Sequence, residues 1–377
     1  MLNVKKALAV IMIFVFIAGC LSGCSGSSSS QTDSDKLQII TTIFPEYDWV
    51  RNVIGDRTDR AEVTLLLDNG TDLHSYQPTA KDILKISTCD LFIYVGGESD
   101  EWVEDALKNA TNKNMKVINL LETLGDSVKE EETVEGMQNG GPQGTGDVDH
   151  HNDGPQPPSP SDHSEDGDND AVQHNEGDGD DHHHEADDDH EHHYHEGEIE
   201  YDEHVWLSLR NASVLTNAIA DTLGELDPSN AEAYKKNADA YAAKLADLDN
   251  DYKAVTEAAP VKTLLFGDRF PFRYLVDDYG LKYYAAFVGC SAETEASFET
   301  ITFLAGKVDE LSLHCVMTIE RSDNKIAETI IKSSTSKDQK ILTLDSLQSV
   351  TSKEVESGTT YLGVMESNLS VLKEALK

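Results

Sequence analysis

Residues 263–287 read TLLFGDRFPFRYLVDDYGLKYYAAF, and this stretch shows the pattern that decides the fold. Two short apolar runs, Thr263–Phe266 and Lys282–Phe287, flank a segment that predicts a helix. Strands of a buried parallel sheet appear as continuous apolar runs, and a helical crossover is needed between them. The stretch therefore predicts a right-handed βαβ unit.

The same alternation extends in both directions along the chain. Further strands are predicted at Leu37–Ile43, Val63–Leu67, Leu91–Val95, Lys116–Leu120, Cys315–Ile319 and Lys340–Leu344. Amphipathic spacing predicts helices between them, for example at Tyr47–Ile54, Thr79–Ile86 and Glu101–Asn109. We expect an α/β protein with two similar parallel-sheet lobes, at residues 37–226 and 261–377.

One long helix is expected to join the lobes, over residues 227–260. It begins near Asp227-Pro228 and ends at Pro260. Its apolar positions alternate at spacings of four and three: Tyr234, Ala238, Tyr241, Leu245, Leu248, Tyr252 and Val255. About thirty residues at 1.5 Å each give roughly 45 Å, long enough for a rigid strut along both lobes.

The N-terminus predicts export and lipid anchoring. Lys5-Lys6 precede an apolar run from Ala7 to Ala18, which is too short to span a bilayer and is typical of a signal peptide. The segment Leu21-Ser22-Gly23-Cys24 resembles a bacterial lipobox, and Cys20 is a second candidate anchor. This predicts a signal peptide at residues 1–23 and a flexible Ser-rich tether at residues 24–36.

A histidine-rich acidic tract interrupts the first lobe, inside a loop predicted to be disordered over residues 126–200. Eleven histidines lie between His150 and His195, and apolar residues are too few for the segment to fold alone. Clustered imidazoles indicate an auxiliary metal-binding loop, with His182, His183, His184, His190, His192, His193 and His195 as its candidate ligands. An acidic spacer with incidental histidines is the alternative.

The tract also accounts for most of the charge. The formal net charge is −40, and 27 acidic residues with the single cation Lys129 lie between Asp126 and Glu203, which leaves −14 for the rest. A negative surface argues against nucleic-acid binding and concentrates cations. Cys89, Cys290 and Cys315 are too few for a disulfide framework, and pairing of Cys290 with Cys315 stays open.

Five polar residues are candidate metal ligands: four follow predicted strands, and His204 lies just beyond the histidine-rich tract. Parallel sheets place ligands at the carboxyl ends of their strands. The candidates are two imidazoles, His74 and His204, and the carboxylates Glu293, Glu295 and Asp345. Two imidazoles and two carboxylates would form a four-ligand site between the lobes, suited to zinc or manganese.

These segments also carry a family resemblance over the whole mature chain. Thr41-Thr42-Ile43-Phe44-Pro45, residues 70–79, His204-Val205-Trp206-Leu207, Asp227-Pro228-Ser229-Asn230, Tyr279-Gly280-Leu281 and residues 361–368 resemble the metal-specific solute-binding lipoproteins of ABC importers. A histidine-rich acidic insertion before the second ligand histidine is a feature of the zinc members. The resemblance implies two α/β lobes bridged by a long helix, with the metal between them.

Carried over by position, the resemblance makes His74 and His204 the first two ligands and Asp345 the final carboxylate. Glu293 matches an acidic ligand of manganese members, with Glu295 as its alternative. Zinc members usually have a third histidine where this chain has Arg269, which cannot ligate because its guanidinium stays protonated. Arg269 is expected to pair with a carboxylate, Glu293 or Asp345, and to hold it in place without contacting the metal itself.

The resemblance predicts an extracytoplasmic, lipid-anchored bacterial protein that captures Zn²⁺, with Mn²⁺ as the alternative. Its partners would be an ABC permease and ATPase, and we expect a monomer without enzymatic activity. Two other classes remain as alternatives. A zinc hydrolase would need a general base, and the chain has no His-Glu-x-x-His pattern. A metal-sequestering or adhesive surface lipoprotein would need no ligands between the lobes.

Overall fold

The structure is a computed structural model that describes residues 36–138, 200–291 and 295–377. The first lobe alternates strands and helices along the chain. Its elements are β1 (Leu37–Thr41), α1 (Phe44–Ile54), β2 (Ala61–Leu65), α2 (Ala80–Thr88), β3 (Leu91–Tyr94), α3 (Trp102–Lys108), β4 (Lys116–Asn119), α4 (Leu120–Leu124) and α5 (Leu209–Leu226). The strands form a parallel sheet in the order β2-β1-β3-β4.

The second lobe repeats this design after the long helix α6 (Ala231–Ala258). Its elements are β5 (Thr263–Phe270), α7 (Arg273–Tyr279), β6 (Lys282–Val288), α8 (Phe298–Glu310), β7 (Cys315–Ile319), α9 (Lys325–Ser333), β8 (Lys340–Leu344), α10 (Ser352–Glu356) and α11 (Tyr361–Ala375). Its parallel sheet has the order β6-β5-β7-β8. The predicted fold class, two parallel-sheet α/β lobes, is confirmed.

Strand β5 runs four residues past its predicted end at Phe266. Its register against β6 shifts between Phe266 and Arg269, which marks an irregularity in the pairing. Gly267 lies in this interval, and a Cβ there would approach the backbone of Ala327 to 2.6 Å. The extension places Arg269 inside the sheet, at the carboxyl end of β5.

Helix α6 packs against both lobes. Its apolar stripe is buried from Tyr234 to Tyr252. Tyr241 donates to Asp48 of α1 in the first lobe (3.3 Å), and Tyr252 donates to the carbonyl of Met365 in α11 of the second lobe (2.6 Å). The helix has 28 residues, which span about 42 Å, and it contacts both lobes. A single buried apolar cluster includes side chains of both lobes and of this helix.

A second connection between the lobes is a segment at residues 129–138, here named the crossing segment. It pairs with the chain that precedes His204, since Asp202 N donates to Lys129 O and Glu131 N donates to Glu200 O, both at 2.9 Å. At its far end, Gln138 N donates to Ala286 O of β6 (2.9 Å). Residues 126–138, which the sequence predicts to be part of the disordered loop, are therefore packed against the protein.

No helix in the described part of the chain is both long enough and apolar enough to cross a membrane. The predicted signal peptide and tether, with Cys24 and Cys20, lie outside the described residues, as do His182 to His195 of the tract.

Candidate metal centre

His74 is held by a short 3-10 turn, Leu73–Ser75, that follows β2. The Asp72 carboxylate caps this turn by accepting from His74 N at 3.0 Å. On the imidazole, Nδ1 lies 2.7 Å from Ser99 Oγ and 3.5 Å from Glu203 Oε2. Because Nδ1 is engaged by these neighbours, Nε2 is the ring nitrogen that remains for a metal.

His204 lies just before the 3-10 turn Val205–Leu207, which leads into α5, and it is fully buried. Asp202 Oδ1 accepts from His204 N and also lies 2.9 Å from Nδ1 of the ring. A carboxylate on Nδ1 fixes the ring orientation and leaves Nε2 as the donor to a metal. The two histidines thus share one local design, an aspartate two residues earlier that binds the histidine's own backbone.

The two Nε2 atoms face each other across 3.2 Å. Two nitrogens bound to one tetrahedral zinc ion at about 2 Å lie about 3.3 Å apart. The separation in the structure is therefore close to the one that a shared zinc ion requires. The rings come from segments 130 residues apart in sequence, so the match depends on the folding of the first lobe.

The two rings differ in their electrostatic surroundings. Burial lowers the pKa of His74 to about 3, and the charges of His204 and Arg269 act in the same direction. Burial opposes ionisation of His204 too, but the Asp202 carboxylate, aided by Glu203 and Asp72, outweighs it and raises the pKa of His204. The carboxylates around His204 therefore favour positive charge at this position, whether it comes from a proton or from a metal ion.

Cys290 is the third described residue of this cluster. Its Sγ and the ring nitrogens of His74 and His204 all lie within 4.8 Å of one another. Cys290 follows β6, so it is contributed by the second lobe. Cys89, Cys290 and Cys315 are all free thiols, which settles the open question of a Cys290–Cys315 disulfide.

Arg269 approaches the cluster from the second lobe, but its carboxylate partner is Asp72. Its Nη2 donates to Asp72 Oδ2 at 2.7 Å, and its Nη1 donates to Ser291 O at 3.4 Å. The expected pairing with Asp345 is not among its described contacts. Gln348 contacts the same residues. In the amide orientation that matches donors with acceptors, its nitrogen donates to Asp72 (3.1 Å) and its oxygen accepts from His204 Nε2 (3.3 Å).

The three predicted carboxylate ligands, Glu293, Glu295 and Asp345, are not part of the described cluster. Glu293 lies outside the described residues. Glu295 is exposed, and its carbonyl accepts from Gln138 Nε2 at 3.5 Å. Asp345 follows β8 and accepts from Leu347 N at 2.8 Å. Among the described residues, neither Glu295 nor Asp345 joins the group formed by His74, His204 and Cys290.

Four residues near the two rings are not predicted from the sequence as part of the site: Asp72, Asp202, Cys290 and Gln348. A signal for the two aspartates was present, since Asp72-Leu73-His74 and Asp202-Glu203-His204 repeat one Asp-x-His spacing. No comparable signal marked Cys290 or Gln348, because their proximity to the histidines arises only when the second lobe meets the first.

A model of the zinc-uptake complex component A family, described as periplasmic, matches residues 39–375. The chain belongs to this family. Family membership agrees with the two-lobed architecture above. It also confirms the resemblance drawn from the sequence motifs.

Curated relatives of the zinc-uptake family include the zinc-binding lipoprotein AdcA of Streptococcus pneumoniae. It is 30% identical over 360 residues, which are 96% of this chain and 58% of that protein. The chain thus spans little more than half the length of that relative. The high-affinity zinc uptake system protein ZnuA of Bacillus subtilis is 27% identical over 363 residues, 96% of this chain and 94% of the relative.

Solved structures of similar proteins share the fold. The Zn(II)-bound ZnuA-like domain of Streptococcus pneumoniae AdcA has 27% identity and a TM-score of 0.61, over 90% of this chain and 99% of that domain. The metal-dependent lipoprotein YcdH from Bacillus subtilis has 24% identity and a TM-score of 0.62, over 90% and 99%. At that identity, the second likeness supports the fold alone.

Proposed function

We propose that this protein is the extracytoplasmic metal-binding component of an ABC importer and that its cargo is Zn²⁺. The observation that carries the proposal is the pair of Nε2 atoms 3.2 Å apart, each on a ring whose Nδ1 is already engaged. Family membership supports transport as the context, and the names of the two curated relatives support zinc. The protein would bind and release the ion without chemical conversion.

The donor set favours zinc over manganese. Imidazole nitrogens suit zinc, whereas manganese sites are richer in carboxylate and water oxygens. The carboxylates close to the two rings, Asp202 and Glu203, contact Nδ1 atoms and would orient the ligands instead of binding the ion. The first coordination sphere would therefore contain at least two nitrogens from the first lobe.

The remaining ligands are proposed from the family resemblance. Glu293 or Asp345 would provide an oxygen, with Glu295 as the alternative to Glu293. Burial raises the pKa of Asp345, and a cation bound beside this carboxylate would offset the cost of burying its charge. A water molecule could fill a vacant position of the tetrahedron.

Delivery requires the protein to stay near its permease. We propose that a lipid on Cys24, or on Cys20, anchors the protein to the outer face of the membrane and that the Ser-rich segment up to residue 36 is its tether. The partners would be the permease and ATPase subunits of the importer. We expect the binding protein itself to be a monomer.

A competition titration against a chromophoric zinc chelator tests the proposed cargo. We expect one tight zinc site that is lost in His74→Ala and in His204→Ala. His314→Ala is the matched control, because His314 is half-buried in the second lobe and its Nε2 lies 3.0 Å from the carbonyl of Glu374. Wild-type zinc affinity in both site variants, or tighter binding of manganese than of zinc by the wild type, would overturn the proposal.

A further inference from the structure

We propose that Cys290 is a thiolate ligand of the transported ion, so that the site is a His₂Cys centre that prefers soft or borderline cations. The inference rests on the proposed function and identifies one ligand of that site. The observation behind it is the mutual approach of Sγ and the two imidazoles within 4.8 Å.

The position of Cys290 is fixed by close packing. The preceding residue, Gly289, lies against the His204 ring: a Cβ at this position would be 2.9 Å from His204 Cε1 and 3.0 Å from the carbonyl of Phe270. Any larger residue would push the chain away from the ring. The absence of a side chain at residue 289 therefore lets the backbone bring the next residue up to the metal-binding nitrogens.

A second contact holds the backbone of Cys290 from the other side. Cys290 N lies 3.4 Å from Glu131 Oε1, and Glu131 belongs to the crossing segment that pairs with the residues before His204. The backbone of Cys290 and the residues before His204 are thus both hydrogen-bonded to Glu131. For a tetrahedral zinc ion, a sulfur at about 2.3 Å and a nitrogen at about 2 Å lie about 3.6 Å apart. Sγ and the ring nitrogens lie within 4.8 Å of one another, so a small movement of the Cys290 side chain would bring them to this separation.

The charges around Cys290 favour the protonated thiol until a cation binds. Burial raises the pKa of Cys290, and the carboxylates of Glu203, Asp202 and Glu131 add to the effect. The thiol therefore carries its proton when no metal is bound. Binding of Zn²⁺ forms one Zn–S bond, breaks the S–H bond and releases that proton to solvent, while the metal supplies the positive charge that the surrounding carboxylates favour.

The residue at position 269 explains why the second lobe would need Cys290 as a ligand. Arg269 cannot bind a metal, and its guanidinium is committed to Asp72 and Ser291. The second lobe therefore needs another donor facing the imidazoles, and Cys290 is the described one that reaches them. Since manganese prefers oxygen ligands and thiolate prefers zinc, this donor would raise selectivity for zinc.

Cobalt substitution of the purified protein gives a direct readout, because a thiolate bound to Co²⁺ produces a near-ultraviolet charge-transfer band that imidazole and carboxylate ligands do not. We expect this band in the wild type and its loss in Cys290→Ser. Cys315→Ser and Cys89→Ser are matched controls, since both thiols are buried and make contacts with backbone carbonyls elsewhere. Both should retain the band.

Zinc affinity provides the second readout. We expect Cys290→Ser to weaken zinc binding by more than about 100-fold, beyond the range typical of residues that only orient ligands, and to lower the zinc-to-manganese affinity ratio. Cys290→His should restore zinc binding without the band, which separates ligation from a folding defect.

Two outcomes distinguish failure of this inference from failure of the proposed function. If the wild type binds one zinc ion tightly, dependent on His74 and His204, but shows no thiolate band and no effect of Cys290→Ser, the ligand assignment is wrong while the cargo stands. Loss of affinity in Glu293→Gln alone would then identify the carboxylate as the second lobe's ligand. If the wild type has no tight zinc site, the proposed function itself fails.

Discussion

Arg269 and Asp72 form a 2.7 Å ion pair that joins the two lobes directly behind His74. Both side chains are mostly buried, and the other Asp72 oxygen accepts from His74 N. Burial opposes ionisation of Asp72, but the Arg269 guanidinium outweighs it and lowers the pKa of this carboxyl. Arg269 thus supports, from the opposite lobe, the turn that carries the proposed ligand His74.

Arg269→Ala should weaken zinc binding by about 10- to 100-fold, the range typical of residues that orient metal ligands. Without the guanidinium, the Asp72 carboxylate loses its partner and the turn at His74 loses its support. Isothermal titration with a competing chelator measures the change. Arg51→Ala, at an exposed arginine of α1, is the control. Equal affinities in the two variants would show that the ion pair does not influence the centre.

Arg269→His should add a nitrogen donor and raise the zinc-to-manganese affinity ratio, because manganese gains less from an imidazole than zinc does. The side chain is shorter than arginine and no longer reaches Asp72 in the same way, so absolute affinity depends on both effects. Competition titrations with both metals give the ratio. An unchanged ratio would mean that position 269 does not face the ion.

Asp202→Asn should lower zinc affinity by about 10- to 100-fold without unfolding the protein. Asparagine can still accept from His204 N, but its neutral amide stabilises the ring less well as a donor to the metal. The chelator titration and a thermal melt are run together. Asp247→Asn, on the exposed face of α6, is the control. The role assigned to Asp202 is incorrect if its variant binds zinc as tightly as this control does.

Deletion of residues 139–199 should remove weakly bound zinc ions while one tight ion and the fold persist. We propose that this tract serves for capture, with weak binding that strengthens as pH rises, because imidazoles with a pKa near about 6.5 must lose a proton before they ligate. Mass spectrometry of metal content and calorimetry count the two classes of ion. Loss of the tight ion would place tract histidines in the transport site.

The starting point of the deletion matters. A deletion that begins at Val134 also removes Gln138, whose backbone pairs with β6 and whose Oε1 accepts from Ser297 N at 2.8 Å. We expect this longer deletion to lower the melting temperature relative to the 139–199 deletion. Equal melting temperatures would show that the end of the crossing segment contributes nothing to stability.

Asp48 should make stability fall as pH rises from about 4 to about 6. Burial raises the pKa of Asp48 to about 6, although Tyr361 N and the Tyr241 hydroxyl donate to the carboxylate. Between the unfolded and folded pKa values the native state binds more protons, so deprotonation costs up to about 3 kcal/mol of unfolding free energy. Below about pH 4 the carboxyl is protonated in both states and this loss is absent.

Urea titrations of the wild type and Asp48→Asn at several pH values test this dependence. The variant should show a shallower decline between pH 4 and 6, because asparagine does not ionise. Asp56→Asn, at an exposed carboxyl, is the control. Parallel pH profiles for the wild type and Asp48→Asn would contradict the assignment.

The sequence by itself determined the class of fold. Apolar strand runs alternate with amphipathic segments, and this periodicity depends on neighbours close along the chain, so the eight strands of the described residues are predicted near their observed places. Strand ends were less certain. The extension of β5 to Phe270 depends on pairing with β6, and pairing across a sheet is not encoded by local spacing.

The two histidines were also accessible from sequence, because His74 and His204 lie in motifs shared with a known family. What surrounds them required the tertiary structure. Cys290, Gln348 and Arg269 belong to the second lobe, and their distances to the histidines are set by the packing of two lobes against α6 and the crossing segment. Residue types alone list possible donors, whereas the distances between atoms decide which of them can share one ion.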